Sequence, residues 1–105
     1  MLKVPVYAVD RNRWSRLSLI EQMGNIGSEV GRTLKLKRKG VDFEPALFRA
    51  LDLFDATVEL LVEMKSFRTK EVLRSRDQFL QSLYIKDDPS IEKYFMQFAY
   101  AARNK

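Results

Sequence analysis

The stretch DFEPALFRALDLFDATVELLVEMK, residues 42–65, decides the fold, because it has the pattern of a helix that is apolar over most of its circumference. Proline is accepted in the first turn of a helix, and no breaker follows before about Lys65. The polar strip of this helix is narrow and acidic, formed by Asp52, Asp55, Glu59 and Glu63. A helix on the outside of a monomeric bundle needs an apolar arc of only about one third of its surface. We therefore expect this helix to be central or to form half of a subunit interface, and in so short a chain we favour the interface.

The segment before this helix predicts another helix, for which two starts are possible. Ser18 and Glu21 match a capping box, in which each side chain satisfies an amide of the first turn. Ser15 as the cap would instead form a hydrophobic staple from its apolar neighbours. In either case the helix ends at Gly40, because glycine commonly follows the last turn of a helix.

Apolar spacing predicts two more helices towards the C-terminus. One runs from about Thr69 to Tyr84; the other is capped by Asp88, has Pro89 at its first position and ends near Ala102. Four helices joined by short links favour an all-α fold, an antiparallel four-helix bundle forming one domain over residues 1–105.

The N-terminal residues predict an extended strap over residues 1–14. Residues 4–9, VPVYAV, resist helix because they contain a proline and several β-branched residues. The segment is too short for a signal peptide, and no window reaches the roughly 18 apolar residues of a membrane span. We expect a cytoplasmic protein with no membrane partner.

The composition restricts the chemistry that this chain can perform. It contains no cysteine and no histidine, while 46% of the residues are apolar and 31% are charged. Without these two residue types, thiolate sites, ordinary zinc and haem sites and the usual general base are excluded. We therefore predict no catalytic residues, no metal, no cofactor and no small-molecule substrate.

The net charge of +5 is distributed unevenly along the chain. Residues 1–40 carry nine basic and three acidic side chains, residues 41–65 two and six, and residues 66–105 eight and five. The basic side chains predict contacts with nucleic-acid phosphates, although cations at a helix C-terminus also complement the helix dipole. The candidate residues are Arg11, Arg13, Arg16, Lys35, Lys37, Arg38, Lys39, Arg68, Lys70 and Arg74.

One basic residue does not fit this surface pattern. Arg76 projects from the apolar face of its helix, and a guanidinium buried without a partner would be very costly. We expect a carboxylate partner among Glu29, Asp55 and Glu59, and we place Arg76 and Glu29 together as the buried polar pair.

A ridge of small residues on the first long helix leaves two interpretations open. Each glycine inside a helix costs about 1 kcal/mol relative to alanine, so close packing of another helix or close approach of a ligand must offset the cost. The ridge consists of Gly24, Gly27, Ser28 and Gly31.

Three segments carry a resemblance: WSRLSLIEQMGNIGSEVGR, LRSRDQFL and KYFMQFAYAARNK. Together they resemble an uncharacterised small prokaryotic family of helical-bundle proteins, to which no activity is attached. More remotely, the architecture resembles the four-helix-bundle group of ribosomal-RNA intervening-sequence proteins and diversity-generating retroelement accessory proteins. That resemblance implies ring-like homo-oligomers with basic surfaces that contact nucleic acid or a reverse transcriptase.

Composition, pattern and resemblance together favour a non-enzymatic, self-associating helical module that binds a macromolecule. RNA or DNA is the expected partner, beside further copies of the chain. The alternative is a protein–protein adaptor that uses an apolar helix face. A third hypothesis is an enzyme or ligand-binding site on a second polar strip, formed by Glu21, Asn25, Glu29 and Arg32 together with Arg76.

Overall fold

In the computed structural model, which describes residues 8–104, the chain is all-α and folds into five helices. Helix α1 spans Arg11–Ser15, α2 Leu19–Arg38, α3 Glu44–Glu63, α4 Thr69–Tyr84 and α5 Ser90–Arg103. No strand occurs between residues 8 and 104. The all-α prediction is confirmed, and the four long helices follow the sequence prediction to within two residues at each end.

The predicted extended strap is wrong for its last residues, because α1 begins at Arg11. Asp10 caps this short helix: its side chain accepts hydrogen bonds from the amides of Asn12 and Arg13, at 2.9 and 3.3 Å. The cap and the buried ring of Trp14 offset the unfavourable nucleation of so short a helix. Residues 8–10 are not helical, and most of the predicted extended stretch 4–9 lies outside the described residues.

Helix α2 begins after Ser18 and not after Ser15. The hydroxyl of Ser18 accepts from the amide of Glu21 at 3.1 Å, and the Glu21 carboxylate accepts from the amide of Ser18 at 2.9 Å. Both halves of the predicted capping box are therefore present. The helix terminates at Gly40, whose φ of +71° is a left-handed conformation that glycine adopts without strain.

A single core joins the four long helices. Ile26 and Val30 of α2 are completely buried, and α2 packs against α3, α4 and α5. The ring of Phe54 on α3 lies 6.2 Å from that of Phe79 on α4 and 6.0 Å from that of Phe95 on α5, between centroids. Burial of these aromatic side chains is a large part of what holds the fold together.

A buried polar network fastens α1 to this core. The indole Nε1 of Trp14 donates to the hydroxyl of Thr57 at 2.9 Å, and that hydroxyl donates to Gln22 Oε1 at 2.8 Å. Gln22 Nε2 in turn donates to the carbonyls of Trp14 and Leu17, at 3.0 and 3.1 Å. Because every side chain in the network has a partner, its burial carries little desolvation penalty.

Close approach of α5 explains one of the three glycines in the ridge on α2. A Cβ at Gly27 would lie 2.7 Å from the Cβ of Phe95, and one at Gly24 would lie 3.5 Å from the Cα of Ala99. A Cβ at Gly31 would meet nothing within 4 Å. Helix packing therefore accounts for Gly27, whereas Gly24 and Gly31 have room for a Cβ.

The described part of the chain contains no helix that is both long enough and apolar enough to cross a membrane.

Candidate nucleic-acid interface

The fold divides the ten predicted phosphate-binding residues into two groups. Four of them, Arg11, Lys37, Arg38 and Arg68, make polar contacts with other parts of the chain. The other six are exposed and form no ion pair within residues 8–104. These six unpaired cations are Arg13, Arg16, Lys35, Lys39, Lys70 and Arg74.

Arg11 is used to attach α1 to α3. Its guanidinium lies 2.9 Å from Asp52 and 3.3 Å from Glu59. Burial lowers the pKa of Arg11, but hydrogen bonds to Asp52 and Glu59 more than compensate and raise it above its ordinary value. The amide of Val9 also donates to Asp52, at 2.6 Å. Arg11, which the sequence predicts to contact a nucleic-acid phosphate, is therefore neutralised by carboxylates of its own chain.

Arg38 ties the end of α2 to the start of α5. Its Nε and Nη2 donate to both oxygens of Asp87, at 2.9 and 2.8 Å, and Nη2 also donates to Glu92 at 2.6 Å. Hydrogen bonds to Asp87 and Glu92 raise the pKa of Arg38, and the bond to Arg38 lowers the pKa of Asp87. Such a bidentate pair has a defined geometry as well as charge. Arg38 is thus a structural residue.

Lys37 closes the same end of the molecule against α4. Its ammonium group donates to the carbonyl of Leu83. It also lies 5.8 Å from the ring centroid of Phe43 and 5.6 Å from that of Tyr84, within the range of a cation–π interaction. Four of the predicted phosphate-binding residues lie at the end of α2. Lys37 and Arg38 are engaged within the chain, and Lys35 and Lys39 remain unpaired within residues 8–104.

The cations at the start of α4 make fewer contacts within the chain than Arg11, Lys37 and Arg38 do. Arg68 lies 4.0 Å from Glu71, which also accepts from the hydroxyl of Tyr94 at 3.2 Å. Lys70 and Arg74 lie one turn apart on α4 and are exposed. Because Lys37 contacts the other end of α4, about 20 Å along the helix, the clusters of α2 and α4 lie apart.

An exposed aromatic residue beside these cations was not identified from the sequence. Phe67, in the turn between α3 and α4, is 89% exposed. The only signal for it is the segment MKSFRTK, residues 64–70, where a phenyl ring stands among three cations. Sequence pattern does not separate an exposed ring in a link from one that folds back onto the core, so only the structure shows that this ring faces solvent.

The predicted pair between Arg76 and Glu29 is wrong. Arg76 Nη1 lies 3.3 Å from Asp55, another of the three candidate partners. The side chain of Arg76 is 33% exposed. The two residues lie on neighbouring helices, α4 and α3, so the guanidinium reaches a carboxylate without entering the core. Its Nε is buried and has no hydrogen-bond partner within the described chain.

Glu29 is instead neutralised between α2 and α3. This residue is 9% exposed, and its carboxylate lies 3.1 Å from Arg32 and 3.6 Å from Arg49. Asn25, on the same polar strip, donates to the backbone carbonyl of Glu21 at 3.0 Å. The strip is therefore occupied by contacts within the fold, which removes the support for a ligand site there.

The hollows on the surface of the described chain are shallow. One of about 240 Å3 follows the small-residue ridge and lies beside Met96 and Arg103 of α5. Another, of about 440 Å3, lies at the end of α4 beside Asp87 and Asp88. No group of three or more potential metal ligands occurs in the part of the chain that the structure describes.

The chain matches no known protein family, no characterised protein and no solved structure at a significant level.

Proposed function

We propose that this domain is a non-enzymatic, self-associating helical module that binds nucleic acid through its unpaired cations. The observation that carries the proposal is that six of the ten predicted phosphate-binding residues are exposed and form no ion pair within residues 8–104. The carboxylates of Glu29, Asp52, Asp55 and Asp87 each lie within 4 Å of an arginine of the same chain. The six unpaired cations remain on the surface, where neutralisation of phosphates supplies most of non-specific nucleic-acid affinity.

Self-association is supported by the outward face of α3. Phe48 and Val62 are 48% and 59% exposed, and Leu51 and Val58 between them are half-buried. Their spacing of three, seven and four residues places all four on one side of the helix. Asp55 and its partner Arg76 lie in the middle of this row. In a dimer with two-fold symmetry, each copy would therefore present one negative and one positive charge to the other copy. A dimer would also bring unpaired cations of two chains together.

The proposal includes an antiparallel arrangement of the four long helices in a cytoplasmic protein. Gly24 of α2 lies against Ala99 of α5, and Arg38 near the end of α2 reaches Glu92 near the start of α5. Contacts that pair early residues of one helix with late residues of the other support opposite directions for α2 and α5. A module of this kind needs no cofactor and no small-molecule substrate.

Binding is tested with a fluorescent single-stranded RNA and a fluorescent duplex DNA at about 50 and about 200 mM salt. We expect affinity to fall steeply with salt, with a slope that reports the number of neutralised phosphates. The variant Lys70→Gln/Arg74→Gln should weaken binding, whereas Lys86→Gln/Lys93→Gln removes the same charge outside the predicted clusters and should weaken it less. Absence of binding at the lower salt would contradict the proposal.

Self-association is tested by light scattering over a range of protein concentrations. We expect Val62→Asp to dissociate the assembly, because it places an unpaired charge in the apolar row, and Met96→Asp on α5 to leave it intact. A wild-type chain that stays monomeric at high concentration would show that the outward face of α3 is not an interface.

A second candidate is a protein–protein adaptor, favoured by exposed side chains on α5. Met96 and Tyr100 are 52% and 57% exposed beside the shallow hollow along the small-residue ridge. A stoichiometric protein partner that copurifies without nucleic acid and is lost in Met96→Asp would select this alternative.

A further inference from the structure

The turn between α3 and α4 holds a large apolar ring in solvent on a fixed backbone. Phe67 is 89% exposed, the highest value among the exposed large apolar residues of the described chain. Lys65 before it has a φ of +54°, a left-handed conformation that is unfavourable for a residue with a side chain. Lys65 directly follows Met64, the C-cap residue of α3, and this is the position at which helices commonly end in this conformation.

Hydrogen bonds determine the path of this turn on both sides of Phe67. The amide of Ser66 donates to the carbonyl of Leu61 at 2.9 Å, in the pattern of a Schellman cap. The hydroxyl of Ser66 accepts from the amide of Arg68 at 3.1 Å, and the hydroxyl of Thr69 donates to the Ser66 carbonyl at 2.8 Å. The backbone that carries the ring is therefore well defined before any partner binds.

Cations flank the ring in the chain. Lys65 lies two residues before Phe67, and Arg68 and Lys70 follow it, with Arg74 one helical turn further. Of the acidic residues near the turn, Glu71 is shared between Arg68 and the hydroxyl of Tyr94, whereas Glu63, two residues before Lys65, is exposed. An aromatic ring among cations is the combination with which proteins bind single strands, where bases stack on the ring and phosphates contact the cations.

We propose that this turn is the contact site for single-stranded nucleic acid, with Phe67 stacked on an unpaired base and Lys65, Lys70 and Arg74 on phosphates. The inference rests on the proposed function and narrows its partner to single strands, because the face of a base is free to stack only when it is unpaired and splayed out. A lipid surface is the weaker fit. Phe67, even together with Met64, which is 72% exposed, offers less apolar surface than a myristoyl chain, which by itself gives only marginal membrane binding.

The experiment compares the full chain with Phe67→Ala, Phe67→Leu and Phe67→Trp, using a fluorescent oligothymidine of about twelve nucleotides. We expect the alanine and leucine variants to lose about tenfold in affinity, because neither has a π face, and the tryptophan variant to bind at least as well as the wild type. Ile85→Ala is the matched control: it removes an 81% exposed apolar side chain at the other end of α4 and should leave affinity unchanged. Thermal unfolding of each variant verifies that the fold is intact.

Several outcomes would overturn the inference. If the wild type binds but all three Phe67 variants bind equally well, this turn is not the site, while the proposed function stands. If Phe67→Leu binds like the wild type and only Phe67→Ala is weakened, the ring acts as apolar bulk and not as a stacking platform. Binding to vesicles that contain anionic lipid, lost in Phe67→Ala, with no oligothymidine binding, would assign the turn to a membrane surface. A wild-type chain that binds no nucleic acid removes both proposals.

Discussion

The helix pair α2–α5 and the helix pair α3–α4 differ in how closely their backbones approach and in the side chains that they expose. Between α2 and α5 the backbones come so close that Gly27 has no room for a Cβ beside Phe95, and Arg38 is engaged by two carboxylates. On α3–α4, by contrast, Phe48, Val62 and Phe67 face solvent.

Ion pairs differ between the two helix pairs in one place. Arg38 of α2 is held by Glu92 of α5, whereas Lys70 and Arg74 on α4 have no ion pair within residues 8–104. The first pair contains a close backbone contact and a bidentate ion pair. The second pair and its connecting turn carry the exposed rings and cations on which the proposed binding site rests. Substitutions in the first pair should change the free energy of unfolding, and substitutions in the second should change binding.

The largest expected effect is at Gly27. Gly27→Ala should lower the free energy of unfolding by about 1–3 kcal/mol, because the new methyl group collides with the Cβ of Phe95 and overpacking in a close contact costs about that much. Chemical denaturation measures the change. Gly31→Ala is the matched control, and since its Cβ would meet nothing within 4 Å it should raise stability by up to about 1 kcal/mol. If both variants are equally stable, the backbones of α2 and α5 are not in close contact.

The next effect is at Arg38. Arg38→Gln should lower the free energy of unfolding by about 1 kcal/mol, a modest value because the pair is partly exposed and screened by solvent. The loss should shrink in high salt, which already weakens the ion pairs in the wild type. On α4, Lys70→Gln should leave stability within about 0.5 kcal/mol of wild type. Equal losses in the two variants would remove the distinction between paired and unpaired cations.

A gain in stability is expected at Lys65. Lys65→Gly should raise the free energy of unfolding by about 0.5–1 kcal/mol, since glycine adopts the left-handed conformation without strain but loses more entropy on folding. Thermal or chemical denaturation measures the gain, and Lys65→Ala, which removes the same charge but keeps the strain, is the control. A loss of stability in the glycine variant would mean that the side chain of Lys65 itself contributes to the turn.

The smallest effect concerns pH and Tyr94, where α4 and α5 meet. Burial, and then the charge of Glu71, raise the pKa of Tyr94 from 10.0 to about 12. The folded state holds the proton of the Tyr94 hydroxyl more tightly than the unfolded state does. The contribution of this proton to the free energy of unfolding is therefore complete below about pH 10 and is lost as pH rises towards 12. The difference in stability between the wild type and Tyr94→Phe should therefore change over this interval. A constant difference would contradict the raised pKa.

The helices were predictable because their signals are local. The capping box of Ser18 and Glu21 and the glycine at position 40 each act within a few residues of the chain. The short helix α1 was missed, because its stability depends on Trp14 reaching Thr57, 43 residues later in the sequence. Nucleation of such a helix is unfavourable without that tertiary contact.

The candidate site was predictable only in part. The sequence identified Lys70 and Arg74, because a cluster of cations is visible in composition. It could not show that Arg11 and Arg38 are neutralised by residues more than 40 positions away, nor that Arg76 reaches Asp55 and not Glu29. Those pairings depend on which helix faces are adjacent, and periodicity determines a face but not its neighbour.

By itself, the sequence determined an all-α chain, the bounds of its long helices, its excess of positive charge and the exclusion of histidine and cysteine chemistry. These properties follow from composition and from interactions between residues close in sequence. Only the tertiary structure decided which cations are paired, which glycines are needed for close packing and that Phe67 faces solvent. The physical reason is that burial and ion pairing depend on distances between segments, which the packing of the helices sets.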